Sequence, residues 1–440
     1  MKKVLVISYF FPPLGTGSTL RTVKFVKYFP RFNWEPYVLT ITPRTYYAKD
    51  DRLLSELKTD NIKIIRTRIR GKKTLLTDHK LKRLPNEGRR KFFYKIRSFY
   101  KLPDLQKKWK IKAFKLACEI IENEKIDIIF ATAPPYTDLL IASELKRKYN
   151  IPLVIDYRDS WLYSASCSYA TPYHRFRNHK KEASVLRVAD EVITINRRIK
   201  EHIIESYHNV HHKDINIIPN GYDKEDFDSA SSQLPRTNKM RFTHAGSFFD
   251  LVTPKYFLEG LALALKKRPD IKKRIEACFL GVLSKENLQL ISKLNLTELI
   301  YNPGYVNHME CIKYFVSSDV LWFMIGKGNG EDVISTVKLF EYFGARKPIL
   351  ACIPDGAAKG FLKHYNAVKI CEPDDVDAIS TLILEYYDLY SKNSMPLPNE
   401  NIIKKYNFEE LTHQLVRLFE FLIDITPQAV FSGKKIIASP

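Results

Sequence analysis

The chain has 440 residues, of which 45% are hydrophobic and 27% are charged. This length exceeds what one hydrophobic core usually supports, so we expect two domains of about 200 residues each. The composition excludes a chain that is disordered or collagen-like throughout. Because the six cysteines are scattered singly without a CxxC pair, the sequence indicates a reducing compartment and argues against a zinc site.

The formal net charge of +22 is large enough to require a polyanionic partner: nucleic acid, an anionic membrane or a phosphorylated substrate. Most of this charge lies in residues 63–115, where 20 Lys or Arg stand against three acidic residues. Aromatic residues of the kind found at lipid headgroups or stacked on bases are interleaved with them, such as Phe92, Tyr100 and Trp109. The alternative interpretation is a set of solvated helix faces.

Short apolar runs alternate with helix-like segments along the first half of the chain. The first run, residues 4–10, is interpreted as a buried strand rather than a signal peptide, because no small-residue cleavage site follows it. Comparable runs recur at residues 37–41, 62–65, 128–131, 153–155 and 192–195. Strands that are apolar on both faces and alternate with helices predict a parallel sheet covered on both sides.

A polar stretch, residues 220–240, interrupts this pattern and is predicted to be the interdomain linker. A second series of apolar runs follows, at residues 241–245, 277–280, 299–301, 320–323, 349–352 and 367–370. We therefore predict two Rossmann-like α/β domains in tandem, over residues 1–225 and 240–400. Leucines at helical spacing predict a closing amphipathic helix over residues 405–424, before a loose tail at 425–440.

A glycine-containing loop, PPLGTGSTLR, follows the first predicted strand. Gly15 and Gly17 permit a ligand to approach the backbone, and the next helix offers unpaired N–H groups to a phosphate or sugar oxygen. Leu20 stands where the dinucleotide fingerprint needs its third glycine, and no GKS or GKT of a P-loop follows. The alternative is a tight strand-to-helix turn.

A second candidate site lies in ISTVKLFEYFGARKPILA, residues 334–351. Ser335 is predicted to cap a helix from about Thr336 to Gly344, whose first N–H groups would face an anion. Glu341 would lie about 7–8 Å along the axis, roughly the distance from a diphosphate to its ribose. A carboxylate there can accept both ribose hydroxyls, whereas the alternative is a surface helix glutamate.

A third candidate site is VIDYRDSW, residues 154–161, at the end of the fifth strand of the first domain. Asp156, Arg158 and Asp159 cluster where open α/β sheets bind their ligands, and we predict them to be catalytic. The alternative is a structural Arg–Asp salt bridge. The DxD at residues 375–377 is interpreted as helix-capping acids and not as a metal site. The histidines at 208, 211 and 212 are interpreted as part of a solvated loop and likewise not as a metal site.

Taken together, these segments resemble the family 4 glycosyltransferases of GT-B fold, especially bacterial enzymes that build surface polysaccharides. The resemblance covers nearly the whole chain, and the matching segments stand in family order: FPPLGTGSTLR, NWEPYVLT, ATAPPYTDLLIASELKRK, IPLVIDYRDSW, IPNGYDKEDF, THAGSF and STVKLFEYFGARKPIL. It implies a cleft between two Rossmann-like domains and a C-terminal helix that crosses back to the first domain. It also implies retaining transfer of a hexose-type sugar from a nucleotide-diphosphate donor, without a bound metal or other cofactor.

The resemblance implies roles residue by residue. Glu341 is similar to the carboxylate that holds the donor ribose in the family. The other donor-binding positions are Gly304, Tyr305 and Val306 beside the base, Gly246 in the loop at the diphosphate, and Ser335, Thr336 and Lys338 at the phosphate-facing helix start. Gly15, Gly17 and Arg21 resemble the first-domain loop that faces donor and acceptor.

The sequence also departs from the family pattern. A second glutamate often stands eight positions before the one that resembles Glu341, and here that position is Val333. No basic pair follows Gly246, so Lys338 and Arg346 are the candidates to meet the diphosphate charge. Arg346 also replaces the usual glycine before the Lys-Pro step, so we expect the helix to end differently.

From this resemblance we expect a hexosyl- or N-acetylhexosaminyltransferase of capsule or lipopolysaccharide biosynthesis, peripheral on the cytoplasmic face of the plasma membrane. Its partners would be a nucleotide-sugar donor, a glycan or polyisoprenyl-diphosphate-linked acceptor, and an anionic membrane bound by residues 63–115, with no nucleic acid. The acceptor's proton would pass to a phosphate oxygen or to a nearby carboxylate such as Asp159. The alternatives are a non-catalytic membrane- or nucleic-acid-binding scaffold on a degenerate frame and a nucleotide-sugar epimerase of the same fold.

Overall fold

The computed structural model describes residues 1–15, 17–42, 49–67, 102–163, 169, 171–230, 237–248 and 252–431, with side chains up to residue 424. Most of the predicted basic segment, residues 68–101, lies outside the described residues, as does the end of the predicted tail, 432–440.

The first domain is built on a seven-stranded sheet of order β3-β2-β1-β4-β5-β6-β7, in which every strand pair is parallel. The apolar runs form these strands because both faces of the sheet are covered by helices. The short strand β7 was not predicted, since only one of its three residues, Ile215, is buried. The strands are β1 Lys2–Ile7, β2 Trp34–Ile41, β3 Lys63–Thr67, β4 Ile128–Ala133, β5 Leu153–Tyr157, β6 Glu191–Thr194 and β7 Ile215–Ile217.

Seven described helices belong to this half of the chain, and capping side chains explain where several begin. Asn196 Oδ1 accepts from the Ile199 N–H at the start of α6, and Thr171 Oγ1 accepts from the His174 N–H at the start of α5. The helices are α1 Gly17–Tyr28, α2 Asp51–Ser55, α3 Lys107–Asn123, α4 Thr137–Tyr149, α5 Pro172–Leu186, α6 Arg197–Ser206 and α7 Lys224–Ala230.

The second domain repeats the architecture with a six-stranded parallel sheet of order β10-β9-β8-β11-β12-β13. Its strands are β8 Met240–Ala245, β9 Ile275–Leu280, β10 Ile300–Gly304, β11 Val320–Met324, β12 Ile349–Cys352 and β13 Val368–Cys371. Its helices are α8 Lys255–Lys267, α9 Lys285–Lys293, α10 His308–Ser317, α11 Val337–Ala345, α12 Ala357–Leu362, α13 Val376–Ser391 and α14 Glu400–Lys404.

The last helix, α15 Phe408–Phe431, returns to the first domain. The ring of Phe419 lies 5.7 Å from that of Phe29 and 5.3 Å from that of Trp34, and Phe408 packs on Phe25 of α1. The predicted two-domain α/β fold with a crossing helix is therefore confirmed. Among the described residues, no helix has both the length and the apolar character that a membrane span needs.

Candidate functional site

Loops of both domains meet at the carboxyl ends of the two sheets. The Tyr305 hydroxyl, after β10, donates to the Gly15 carbonyl, after β1, at 3.3 Å. On the other side, Asn196 Nδ2, after β6, donates to Ser335 Oγ, before α11, at 2.8 Å. These contacts place the candidate residues of both domains along one interdomain cleft.

The two glycines of the first loop, Gly15 and Gly17, differ in the space that a side chain would have. A Cβ at Gly15 would lie 2.7 Å from Asp50 Cβ and 2.9 Å from the Tyr305 hydroxyl, so a larger residue would push the domains apart. Gly17 begins α1, and a Cβ there would meet no atom of the described residues within 4 Å. With respect to these residues, the N-terminus of α1 is open to an anionic or hydroxylated ligand.

The start of α11 differs from the prediction. Thr336 is the N-cap, without a hydrogen bond from its side chain, and the predicted N-cap role of Ser335 is wrong. Ser335 is buried because its Oγ accepts from Asn196 Nδ2 and its carbonyl accepts from Asn220 Nδ2 at 3.0 Å. Ser335 thus joins α11 to the first domain, while the exposed Thr336 leaves the first N–H groups of the helix accessible.

Lys338, in the first turn of α11, lies against the Gly246 loop of the second domain. Gly246 has φ +131°, and a Cβ there would collide with Lys338 Nζ, so only glycine admits this approach. Burial lowers the pKa of Lys338, while the nearby Glu341 acts in the opposite direction. No carboxylate forms an ion pair with Lys338 among the described residues, as expected where an anionic ligand supplies the missing charge.

His244, near the same loop, is a buried residue that the sequence analysis missed. Its Nδ1 donates to the Trp322 carbonyl at 3.0 Å, and its Nε2 has no hydrogen-bond partner among the described residues. Burial, and then the charge of Lys338, lower the pKa of His244 to about 3, so the ring is neutral. Its Nε2 can accept a hydrogen bond from a ligand hydroxyl.

Glu341 lies in the middle of α11 with only 6% of its surface exposed, which excludes the alternative of a solvated surface glutamate. Its Oε1 lies 2.6 Å from His308 Nε2, at the start of α10. The backbone N–H of His308 donates to Asp50 Oδ2 of the first domain at 3.1 Å. Glu341 and Lys338 stand about one helical turn apart, as the spacing predicts.

The C-terminus of α11 forms without a glycine at position 346, where the family usually has one. Arg346 adopts the left-handed conformation itself, with φ +56°. Its Nη1 donates to the Gly344 carbonyl at 2.9 Å, and its Nε donates to Glu400 Oε1 at 2.6 Å. The expectation that Arg346 meets the diphosphate is therefore wrong, because its guanidinium is engaged at the opposite end of the helix from Lys338.

The strand end predicted to contact the base borders an open groove. Gly304 has φ +80°, and Tyr305 and Val306 are half-buried after it. The groove has a volume of about 460 Å³, and its lining comes from both domains: Lys49, Asp50, Asp51, Arg52, Tyr305, Val306, Asn307 and Glu310.

Within DYRD, the first two charged residues are engaged in the interior of the first domain. Asp156 and Arg21 form an ion pair at 2.9 Å with side chains 1% exposed, and Asp156 also accepts from Thr132 Oγ1 at 2.8 Å. Arg158 donates to the carbonyls of Ser18 and Pro134. This arrangement matches the structural salt-bridge alternative for Asp156, and it holds the start of α1 in place.

Asp159 has the surroundings of a proton acceptor. It is half-buried, and its carboxylate has no hydrogen-bond partner among the described residues. Burial raises the pKa of Asp159 to about 6, with Arg158 acting in the opposite direction. A carboxylate with such a pKa is ionised at neutral pH and basic enough to accept a proton.

One group of carboxylates has the spacing of a metal site within the described part of the chain. Glu56, Asp223 and Asp226 surround Lys24 Nζ of α1 at 2.7, 2.8 and 2.8 Å. The buried ammonium therefore fills the centre of this group and balances part of its charge.

Comparisons with known proteins show a family that part of the chain resembles and the fold of the whole chain. Residues 73–226 match the model of the family described as Glycosyltransferase Family 4. No curated protein sequence matches the chain.

Solved structures extend the likeness to the whole chain. A glycosyltransferase from Rickettsia africae is 15% identical, with TM-score 0.61, over 96% of this chain and 98% of that one. A sucrose-phosphate synthase from Thermosynechococcus elongatus is 14% identical, with TM-score 0.67, over 97% and 100%. The Anabaena protein HepE, solved with UDP-glucose, is 15% identical, with TM-score 0.60, over 96% and 100%. These likenesses confirm the GT-B fold.

The resemblance to family 4 predicts site residues on α11 and in the glycine loops, and the structure brings these to one cleft. It gave no signal for His308, His244 or Asp50, whose partners are distant in sequence. His308 N–H and Asp50 Oδ2, for example, belong to residues 258 positions apart. No strand end marks either histidine, because His244 lies within β8 and His308 begins α10 four residues after β10.

Proposed function

We propose that this chain is a retaining glycosyltransferase that moves a hexose-type sugar from a nucleotide-diphosphate sugar to a glycan or polyisoprenyl-diphosphate-linked acceptor. The observation that carries the proposal is the placement of Glu341 and Lys338 about one turn apart on α11, beside the Gly246 loop. That spacing suits the ribose and the diphosphate of one donor, and the groove at Tyr305 and Val306 suits its base.

The chemistry needs a way to stabilise the leaving diphosphate without relying on solvent. Lys338 supplies a cation, the open start of α11 supplies N–H groups, and the Gly246 loop lets the ligand approach the backbone. A diphosphate next to Lys338 would also raise the pKa of this lysine, which burial lowers. These residues account for a donor site that needs no metal.

The acceptor hydroxyl would attack the anomeric carbon on the face from which the diphosphate leaves. Its proton would pass to the Asp159 carboxylate, which is free of hydrogen-bond partners among the described residues. Because the two domains meet through Tyr305–Gly15 and Ser335–Asn196, closure of the cleft would exclude water from this step.

We also propose that the protein acts on the cytoplasmic face of an anionic membrane. Helices α3 and α5 both pack on α4 and form what we call the α3–α5 surface. Lys181 of α5 donates to the Leu102 carbonyl, five residues before α3. Ile111, Tyr173 and Phe176 are 79%, 60% and 53% exposed there. They lie among exposed basic residues: Lys107, Lys108, Lys112, Lys115, Arg175, Arg177 and Lys180. This combination suits an anionic headgroup layer.

The proposed activity is tested first with a panel of UDP, GDP, ADP and their sugars, added without metal in thermal-shift measurements. We expect one base to raise the melting temperature, which names the donor class. Incubation of that nucleotide sugar with acceptors, followed by NMR of the product, should show a new glycosidic bond with the donor's anomeric configuration. Conversion of the free nucleotide sugar to its epimer would establish the epimerase alternative instead. Membrane binding with no nucleotide binding at millimolar concentration would favour a scaffold.

A further inference from the structure

His308 lies where three parts of the molecule meet, although the proposed chemistry does not use its side chain. Its Nε2 lies 2.6 Å from Glu341 Oε1 of α11, and its Nδ1 lies 3.8 Å from Asp226 Oδ2 of α7. Its backbone N–H donates to Asp50 Oδ2 of the first domain at 3.1 Å. The residue therefore touches the donor carboxylate, the segment between the domains and the first domain at once.

Asp226 extends this contact to α1. Its carboxylate lies 2.8 Å from Lys24 Nζ, which also binds Asp223 and Glu56, and the Lys24 side chain is only 2% exposed. Removing one partner from such a buried cluster leaves an uncompensated charge, so the cluster holds α7 firmly against α1. Through Asp226, His308 links Glu341 to the ion cluster, in which Lys24 of α1 meets α7, a helix that also packs on the second domain through Phe227.

The charges around His308 favour its protonated form. Three carboxylates face it, from Glu341, Asp226 and Asp50, and Lys24 is the nearby cation. Burial lowers the pKa of His308, but Glu341 and then Asp226 outweigh burial, so the pKa is raised above 6.5. The protonated ring donates to Glu341 from Nε2 and places a positive charge 3.8 Å from Asp226 Oδ2, whereas the neutral ring lacks that charge.

We propose that His308 is a positioning residue that holds Glu341 for the donor ribose and links donor affinity to the junction between the domains. This inference rests on the proposed function. His308 Nε2 engages Glu341 Oε1 and so orients Oε2 for the ribose hydroxyls. Protonated His308 also balances the Glu341 charge close to an anionic diphosphate. When His308 loses its proton as the pH rises, the site becomes more negative and donor affinity falls.

The test is a calorimetric titration between about pH 5.5 and about pH 8.5, using whichever UDP-, GDP- or ADP-sugar binds the wild type best. We expect wild-type affinity to fall about tenfold over this range. His308→Gln keeps an amide donor that cannot titrate, so its affinity should stay near the wild-type value at neutral pH with a flat profile. His308→Leu should bind about tenfold more weakly. His364→Gln, at an exposed histidine of the same domain, is the matched control and should keep the wild-type profile.

Melting temperatures show whether each variant folds. If His308→Leu does not fold, the test rests on His308→Gln alone. A His308→Gln profile as steep as that of the wild type would overturn the proposal. So would a folded His308→Leu variant that binds the nucleotide sugar as tightly as the wild type.

A second measurement separates this inference from the proposed function. Histidine-selective NMR titration of the ligand-free protein should give a pKa above 6.5 for His308, and Glu341→Gln should lower it. An unchanged pKa in Glu341→Gln would overturn the coupling between the two residues, whatever nucleotides bind. If the coupling is present but no nucleotide sugar binds the wild type, the proposed function fails, and the positioning role fails with it.

Discussion

Three charged residues of one short segment, Asp156, Arg158 and Asp159, have different surroundings and therefore different roles. Asp156 is fully buried against Arg21, and Arg158 donates to two backbone carbonyls. Of these three residues, only Asp159 has a side chain without a hydrogen-bond partner in the part of the chain that the structure describes. A structural role and the proposed chemical role thus belong to residues within four positions of the chain.

Asp156→Asn should destabilise the protein strongly, because it leaves the buried guanidinium of Arg21 without its counter-charge. We expect a loss of about 3–5 kcal/mol in the free energy of unfolding, measured with urea. Glu201→Gln, which breaks the solvent-exposed pair with Arg197, is the control and should cost less than about 1 kcal/mol. A similar small loss for both variants would contradict a structural role for Asp156.

Asp159→Asn should make the protein more stable but less active. Since burial raises the pKa of Asp159 from 3.8 to about 6, ionisation in the folded state is unfavourable, and stability is lost as the pH rises between these two values. The variant should therefore melt a few degrees above the wild type at pH 7.5, with a smaller difference near pH 5. Sugar transfer should fall about 100-fold. Full transfer activity in the variant would remove Asp159 from the mechanism.

At the scale of elements, α11 carries the residues of the proposed donor site in its first half and a structural junction at its end. The same helix presents Lys338 and Glu341 to the cleft and closes through Arg346, whose left-handed backbone is held by Gly344 and Glu400. A cation at the C-terminus of a helix is also favoured by the helix dipole. This explains how the helix ends without a glycine at that position.

The α3–α5 surface should bind anionic vesicles. Reversing two exposed charges on α3, with Lys108→Glu and Lys115→Glu together, should weaken binding at least about tenfold, since each basic residue near the membrane contributes about 1 kcal/mol. Cosedimentation with phosphatidylglycerol vesicles measures this, and added salt should also weaken binding.

The matched control reverses two exposed lysines of α8 in the second domain, with Lys266→Glu and Lys267→Glu. This variant should bind the vesicles like the wild type. Equal losses for both double variants would show that net charge, and not the α3–α5 surface, determines membrane binding.

At the scale of the whole molecule, the layered fold was predictable because buried parallel strands are apolar on both faces. The exception, β7, contributes one buried residue, Ile215, and so leaves no apolar run. The candidate site was predictable only in part. Glu341 and Lys338 share a helix, whereas Arg21 and Asp156 are 135 residues apart, and no local pattern reports a pair formed by folding.

The same reason explains why the domain junction was not predicted. Lys24 looks like an ordinary polar residue of an amphipathic helix, yet it is buried among carboxylates from α7 and from the segment after α2. Ser335 reads as a helix cap, yet Asn196 and Asn220 of the first half draw it into the interface. Both assignments depend on how two domains meet, which the apolar periodicity of each domain does not encode.

The central claim is that α11 holds a nucleotide-sugar donor through Glu341, and calorimetric titration of Glu341→Ala tests it most directly. The titrant is the nucleotide sugar selected by the thermal-shift panel, without added metal, and Glu298→Ala at an exposed position of the same domain is the control. We predict at least about tenfold weaker binding for Glu341→Ala, since the ribose loses a charged acceptor, and unchanged binding for Glu298→Ala. Equal affinity of Glu341→Ala and the wild type would contradict the proposed donor site.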